Sequence, residues 1–405
     1  MASTGEKSRV SIVGTEPKPD QEAVNAAVRE AIDMVGSLES IVKAGDRVLI
    51  KPNLAAPPPI VHYGAVNEPP VCIAIADMVK ELGAHPFIGE SSGVGIDTEE
   101  AIKNTGFAEL RERGYEVIDL KRYPGVKVDC PDGKIMKDLL IYEPAAEADV
   151  IIDVPKMKTH DNAEVTCSIK NMKGILHDTY KKKFHHEGLF DGCADLISRF
   201  PAHLVVVDGI VGMEGMGPVF GEAVEMNLIL ASRDMVAVDA VVGKVMGFDP
   251  DEVLITLYAA ERGLGEADLD KIEVVGRSIE SVARRFKRVS ESEVLDIEGF
   301  NLVHWEGTCT GCRNAVMSSI FDLRGAQELD FARYKTIFTG DIEVPDVDPD
   351  KLIAVGICVP KGKRGKNFVP GCPPNNASIR AAFKGEEEGA LLMALDEEEE
   401  EKESQ

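Results

Sequence analysis

Ala148-Asp-Val-Ile-Ile-Asp-Val154 decides how the first two-thirds of this 405-residue chain is read. Val150, Ile151 and Ile152 follow one another with no polar residue between them. Successive side chains of a strand point to opposite faces, so such a run belongs to a strand buried on both. The pattern recurs in Arg47-Val-Leu-Ile50 and Leu204-Val-Val-Val-Asp208, with further short strands predicted at 9–13, 85–89, 116–119 and 228–230. Helical stretches lie between: one capped by Asp20 and ending near Gly36, one over 70–82, one over 98–104. Doubly buried strands alternating with helices predict an α/β fold with a doubly wound, mainly parallel sheet.

The regular pattern thins after Ser278, where Arg284-Arg285-Phe286-Lys287-Arg288 suggests a boundary. The chain is therefore divided into a large α/β domain (1–280), a smaller α/β cysteine-bearing domain (281–385) and an acidic tail (386–405) expected to be disordered. The formal net charge is -25, of which the tail contributes -9. A folded part that remains acidic disfavours nucleic acid and membrane surfaces as partners. The amino-terminal residues contain no apolar signal core and no run approaches membrane-spanning length, which favours the cytoplasm. Eight cysteines in a chain this long are too sparse for a disulfide scaffold.

Strand ends of an open parallel sheet deliver ligand-binding loops to one edge. Four stand out: Lys51-Pro-Asn53; Gly89-Glu-Ser-Ser-Gly93, whose amides and hydroxyls suit an anion; Val154-Pro-Lys-Met-Lys-Thr-His160; and Asp208-Gly-Ile-Val-Gly-Met-Glu-Gly-Met-Gly-Pro218, read as a glycine-rich loop. Lys51, Lys156, Lys158, His160, Lys170 and Lys173 concentrate positive charge against an acidic background and predict a cationic pocket for a small carboxylate or phosphate. The candidate substrate contacts are Lys51, Asn53, Ser91, Ser92, Lys158, Lys170, Asn171, Gly215 and Gly217. Lys156, His160 and Glu214 are the catalytic candidates, with His160 or Glu214 placed for proton transfer. His177, His185 and His186, beside Lys181–Lys183, read as a basic loop able to close over that pocket, and Cys167 as a small structural residue.

Cys309, Cys312, Cys358 and Cys372 form a second constellation. The first pair is Cys-Thr-Gly-Cys; the last lies in Val-Pro-Gly-Cys-Pro-Pro. Thiolates drawn from separated segments suit a soft metal or an iron–sulfur cluster, and a [4Fe–4S] cluster is the expectation. Zinc and a thioredoxin-like dithiol at Cys309 and Cys312 are the alternatives. Lys361-Gly-Lys-Arg-Gly-Lys366 supplies cations that would offset the charge of a thiolate-bound cluster. The Gly-Cys-Pro-Pro element resembles a ligand segment of the cluster-binding small subunits of hydrogenases and Complex I relatives.

Lys51-Pro-Asn-Leu54, Gly89–Gly93, Val154–His160, Ser168-Ile-Lys-Asn-Met-Lys-Gly174, Asp208–Pro218 and Ala237-Val-Asp239 in that order resemble the domain of unknown function 362 family. That resemblance implies an uncharacterised iron–sulfur centre protein. Many members carry a ferredoxin-type cysteine run, and this chain has the dispersed set of four instead. The large domain is also loosely similar to the lactate racemase superfamily's architecture, which implies an organic-acid ligand. The function expected is an iron–sulfur oxidoreductase of a small anionic substrate, with an electron-transfer protein as candidate partner. The alternatives are a lyase or isomerase with a structural cluster or zinc, and an electron-transfer module with no substrate of its own.

Overall fold

The computed structural model describes residues 7–58, 61–291, 297–304 and 311–386. The acidic tail beyond 386, Trp305 and Cys309 lie outside the described residues. The chain divides into two units, Met1–Phe184 with Leu189–Val289, and His185–Gly188 with Ser290–Gln405.

The large unit is built on a ten-stranded mixed sheet. Its strands are β1 (Arg9–Gly14), β2 (Arg47–Lys51), β3 (His85–Glu90), β4 (Glu116–Asp119), then, after a separate antiparallel pair β5 (Gly125–Asp129) and β6 (Asp138–Tyr142), β7 (Val150–Asp153), β8 (Lys156–His160), β9 (Glu164–Thr166), β10 (Leu204–Glu214), β11 (Glu222–Ser232) and β12 (Glu273–Gly276). The spatial order is β12-β1-β11-β10-β7-β2-β3-β4, with β8 paired to β10 and β9 to β8. β11 runs antiparallel to both its neighbours, and the rest of that path is parallel.

The apolar runs do what their lack of alternation requires. Val48, Ile50, Val150, Ile152, Leu204 and Val206 enter one buried cluster, with the helices Gln21–Met34 and Pro69–Glu81. Leu49, Ile151, Val205 and Val207 enter the other, with the helices Leu189–Arg199 and Met235–Val245. Each residue step along a strand changes core, so the sheet is sandwiched between two apolar layers.

Three expectations are corrected. Residues 209–214, read as glycine-rich loop, extend β10 into a long hairpin with β11, bulged between Gly209 and Val211. Gly212 is there because β8 packs on it: a Cβ would come within 2.6 Å of the Met157 carbonyl oxygen. Residues 156–160, read as loop, are strand β8. The basic segment around His177 is largely the helix Asp178–Glu187. The large unit also runs past the arginine-rich stretch: Phe286 is buried, and the Arg284 and Phe286 amides donate to the Val245 and Met246 carbonyls at 2.9 Å.

The small unit holds a parallel sheet in chain order, β13 (Asn301–His304), β14 (Thr336–Thr339), β15 (Leu352–Val355) and β16 (Phe368–Val369). The helices Gly311–Gly325 and Asn376–Lys384 share with it a core of Ala315, Val316, Ile337, Ile353, Val355 and Phe383.

The close approach at Gly212 predicts that Gly212→Ala destabilises the large unit by about 2–3 kcal/mol, because backbone rather than a flexible side chain opposes the new methyl. Urea unfolding checks this, and an unchanged midpoint would show that β8 and β10 are free to separate there.

Candidate functional site

The carboxyl ends of the parallel strands bring the predicted lysines together, but in different roles. Lys51 ends β2 beside Asp153, its register partner at the end of β7. Its Nζ donates to Glu90 Oε2 at 2.8 Å, to the Pro52 carbonyl at 2.7 Å and to Asn171 Oδ1 at 3.1 Å. Lys158 donates to Asn53 Oδ1 at 3.1 Å and to the carbonyls of Ala65 and Pro218 at 2.6 and 3.2 Å. An ammonium has three N–H bonds. Both lysines therefore have all of theirs taken by protein and act as struts between loops. Asn53 and Asn171 belong to the same net, with Asn53 Nδ2 donating to Asn171 Oδ1 at 2.9 Å.

Lys156 differs. Its Nζ donates to Asp208 Oδ2 at 2.8 Å, and Asp208 is its one hydrogen-bond partner among the described residues. Asp208 Oδ2 also accepts from Asn67 Nδ2 at 2.9 Å, which fixes the carboxylate. Lys156 and Asp208 are 3% and 4% exposed at the side chain, yet both line a cavity of about 440 Å³. That volume suits a small molecule. The cavity lies where the β10–β11 bulge meets the chain leaving β1 and the start of the helix Pro69–Glu81; its other walls include Lys18, Tyr63, Glu68, Val211, Glu225 and Asn227.

The remaining predicted residues lie elsewhere in the net. The Ser91 amide donates to the Gly174 carbonyl at 3.1 Å and to Glu90 Oε1 at 2.8 Å, and the Gly93 amide to the Ala55 carbonyl at 2.9 Å. Ser92 Oγ donates to the Leu54 carbonyl at 2.5 Å. Lys181 caps this turn, donating at 2.8 Å to Ser91 O, Ser91 Oγ and Ser92 O. The turn expected to hold an anion is thus filled by protein groups. His160 accepts the Asn162 amide at Nδ1 (3.0 Å); burial and the nearby Lys170 push its pKa down to about 4 against the pull of Asp161, so the ring is neutral. Glu214 accepts the Lys287 amide at 3.0 Å and pairs with Arg284 at 3.4 Å. Gly215 donates to the Lys287 carbonyl at 2.8 Å, and Gly217 packs against Thr159 so closely that no side chain fits. Lys170 and Lys173 are both held below the ordinary lysine range by burial; Cys193 and Asp161 oppose the shift at Lys170, and Lys170 adds to it at Lys173. None of these eight lines the Lys156 cavity. Cys167 is buried, and burial followed by Asp239 raises its thiol pKa well above the usual range, which fits the structural role expected of it.

Sequence reasoning missed Asp208, Glu68, Tyr63 and Glu225 as site residues. Asp208 carried a signal: an acid closing an apolar strand, beside a lysine that follows the neighbouring one.

In the small unit, the three described cysteines follow carboxyl ends of the parallel strands: Cys312 after β13, Cys358 after β15, Cys372 after β16. Cys358, the exposed one of the three, is a free thiol. Gly356, with φ +94°, packs on Cys312: a Cβ there would stand 2.5 Å from its sulfur. The Ile357 amide donates to the Gly371 carbonyl at 3.0 Å, tying together the residues that precede Cys358 and Cys372. Arg364 donates to the carbonyls of Ile357 and Val359 on either side of Cys358. The backbone thus fits a thiolate-bound group at this edge. Among the described residues no three His, Cys, Asp or Glu side chains already form a metal-holding group, and Cys309 lies outside them.

Comparison with known proteins agrees with the ordered motifs. A family model, "Domain of unknown function (DUF362)", matches residues 48–244. A thylakoid-associated protein of Synechocystis sp. is 30% identical over 251 residues, 59% of this chain and 74% of that protein. The chain belongs to the domain of unknown function 362 family. Among solved structures, the lactate racemase apoprotein of Thermoanaerobacterium thermosaccharolyticum matches 83% of this chain and 69% of its own at 12% identity and a TM-score of 0.39. No described helix is long and apolar enough to cross a membrane. The family match spans the strands and loops that carry Lys51, Lys156, Lys158 and Asp208, and stops short of the four-cysteine segment.

Burial lifts the Asp153 pKa to about 7 against the pull of Lys51 and the Asn171 hydrogen bond, and its Oδ2 has no partner among the described residues. Between about pH 4 and about pH 7 the folded protein keeps a proton here that the unfolded chain has released, so this group lowers stability as pH rises through that window. Asp153→Asn removes that slope. Denaturation at both ends of the window should show wild type losing stability relative to the variant as pH rises; parallel values would show Asp153 ionised throughout.

Proposed function

We propose that this chain is an enzyme acting on a small carboxylate or phosphate held in the Lys156 cavity, and that its small unit carries an iron–sulfur cluster, making it an oxidoreductase. One observation carries the substrate half. Of the buried lysines at this edge, Lys51, Lys158 and Lys181 are saturated by protein acceptors, whereas Lys156 faces a cavity with a single partner. Two N–H bonds remain for an anionic oxygen. Asp208 holds the ammonium in place and, being fixed by Asn67 and by the Ile210 amide at 3.2 Å, does not swing away when a ligand enters. Charge-assisted hydrogen bonds from a group already desolvated and oriented are the strong kind.

Cys309, Cys312, Cys358 and Cys372 would hold the cluster, with Arg364 beside Cys358 offsetting its charge. When bound, the cluster supplies one-electron chemistry, and an electron-transfer protein would then be the partner. Support comes from the shared sheet edge and the close packing of Gly356 on the Cys312 sulfur.

Two measurements test the two halves separately. In calorimetric titration of a panel of small carboxylates and phosphates, Lys156→Met should weaken the best binder about 10- to 100-fold, the value of one or two charge-assisted hydrogen bonds. An unchanged affinity would contradict the site. Anaerobically purified protein should contain iron and acid-labile sulfide in equal amounts, with broad visible absorbance. Zinc without sulfide would make the metal structural; neither metal would remove the cluster and with it the cluster-based oxidoreductase.

A further inference from the structure

Two carboxylates in the same cavity have no work to do inside the protein. Glu68 occupies the N-cap position of the helix Pro69–Glu81, where an acid usually accepts a backbone N–H. Here the first two helical residues are Pro69 and Pro70, which have no N–H, and Glu68 makes no capping bond. Glu225 opposes Val211 just past the β10–β11 bulge and has no ion pair or hydrogen bond among the described residues. Both line the cavity with Lys156 and Asp208. Tyr63 lines the same cavity, and its phenol pKa is raised by burial first and then by Glu68, Glu225 and Asp208.

The charge balance of the lining follows. Lys156 and Asp208 neutralise one another at 2.8 Å. That leaves Glu68 and Glu225 against Lys18, an excess of one negative charge. A simple anion would meet Lys156 at one end and be repelled at the other. An ammonium would find two unpaired acceptors there, within a lining that is apolar elsewhere through Val24, Val71 and Ile210.

We propose that the molecule bound at Lys156 is a zwitterion, an amino-bearing carboxylate such as an α-amino acid, with its carboxylate on Lys156 and its ammonium between Glu68 and Glu225. This rests on the Lys156 cavity being the substrate site. It makes Glu68 and Glu225 specificity-determining: they contact the charged amine and set which acids enter, and the carboxylate contact is unaffected by them. The ammonium meets the carboxylates of Glu68 and Glu225 and the carboxylate meets Lys156, so each end of the ligand faces the opposite charge, as complementary electrostatics requires.

The test uses the full-length protein and matched probes: α-amino acids, the 2-hydroxy acids of the same side chains, and the deaminated acids. Binding is read by calorimetry and thermal shift, with Glu68→Gln/Glu225→Gln as the variant. Both residues are exposed and make no internal bonds, so the variant should fold as wild type, with an unshifted ligand-free melting temperature as the check. Amino acids are expected to bind at least ~10-fold tighter than their hydroxy and deaminated partners. In the double variant that preference should disappear. Hydroxy or deaminated acids binding as tightly, in a Lys156-dependent manner, would leave the cavity standing as the site and overturn the amine. A preference unchanged in the double variant would overturn the roles of Glu68 and Glu225. Failure of every carboxylate to bind would remove the cavity and the amine together.

Discussion

Everything at the carboxyl edge of the large sheet depends on a single constraint: a buried ammonium must place three N–H bonds. Strands β2 and β8 are buried on both faces, so the lysines they carry leave the sheet into protein rather than into water. An unpaired cation there would be prohibitively costly, and Lys51 and Lys158 avoid that by being surrounded by acceptors or shifted toward neutrality. Lys51 and Lys158 take the first course by gathering loops around themselves. In doing so they pull residues 52–54, 65, 171 and 218 into one place. Lys158 also takes part of the second, with a pKa drawn down to about 7 by burial and by Lys170, Lys156 and Lys51. The loops that make the cavity are therefore held by lysines that do not face it.

Against that background the Lys156–Asp208 pair stands out as incomplete. A strut with spare donors is destabilising unless something else accepts from it. The cavity that Lys156 and Asp208 line is where a ligand completes the bonding. Proteins tolerate such local deficits at sites of function and compensate elsewhere; here the saturated net around Lys51 and Lys158 provides the compensation.

The sequence made the sheet legible because two-sided burial leaves a mark in composition. Val150-Ile-Ile152 and Leu204-Val-Val-Val207 have no polar face, and their residues divide between two cores. The β10–β11 hairpin was not legible. Gly209 and Gly212 look like loop residues, yet they are small because β8 lies against them, a contact between distant segments. The helix Asp178–Glu187 was hidden by its lysines and histidines, which carry no apolar stripe. For the site, the sequence shows Lys51, Lys156 and Lys158 directly after or near the ends of apolar runs. It had no means of separating saturated from unsaturated ones, because the acceptors are mostly backbone carbonyls, which no residue name reveals. Glu68 was invisible for a related reason: its freedom comes from two prolines that lack N–H groups.

The cysteines of the small unit show the same division between what order along the chain reveals and what packing decides. Their spacing is dispersed, but Cys312, Cys358 and Cys372 each follow a strand of one parallel sheet, so the fold converts dispersed positions into one edge. Gly356 beside the Cys312 sulfur is a packing fact that spacing does not contain.

The central claim is that Lys156, and not the better-bonded lysines around it, meets the ligand. A crystal structure of the full-length protein with the tightest-binding carboxylate tests it most directly. The account predicts a carboxylate oxygen within hydrogen-bonding distance of Lys156 Nζ inside the cavity, with the Lys51 and Lys158 contacts unchanged. Ligand density at the Ser91–Gly93 turn or beside Lys170 and Lys173, with the Lys156 cavity empty, would contradict it.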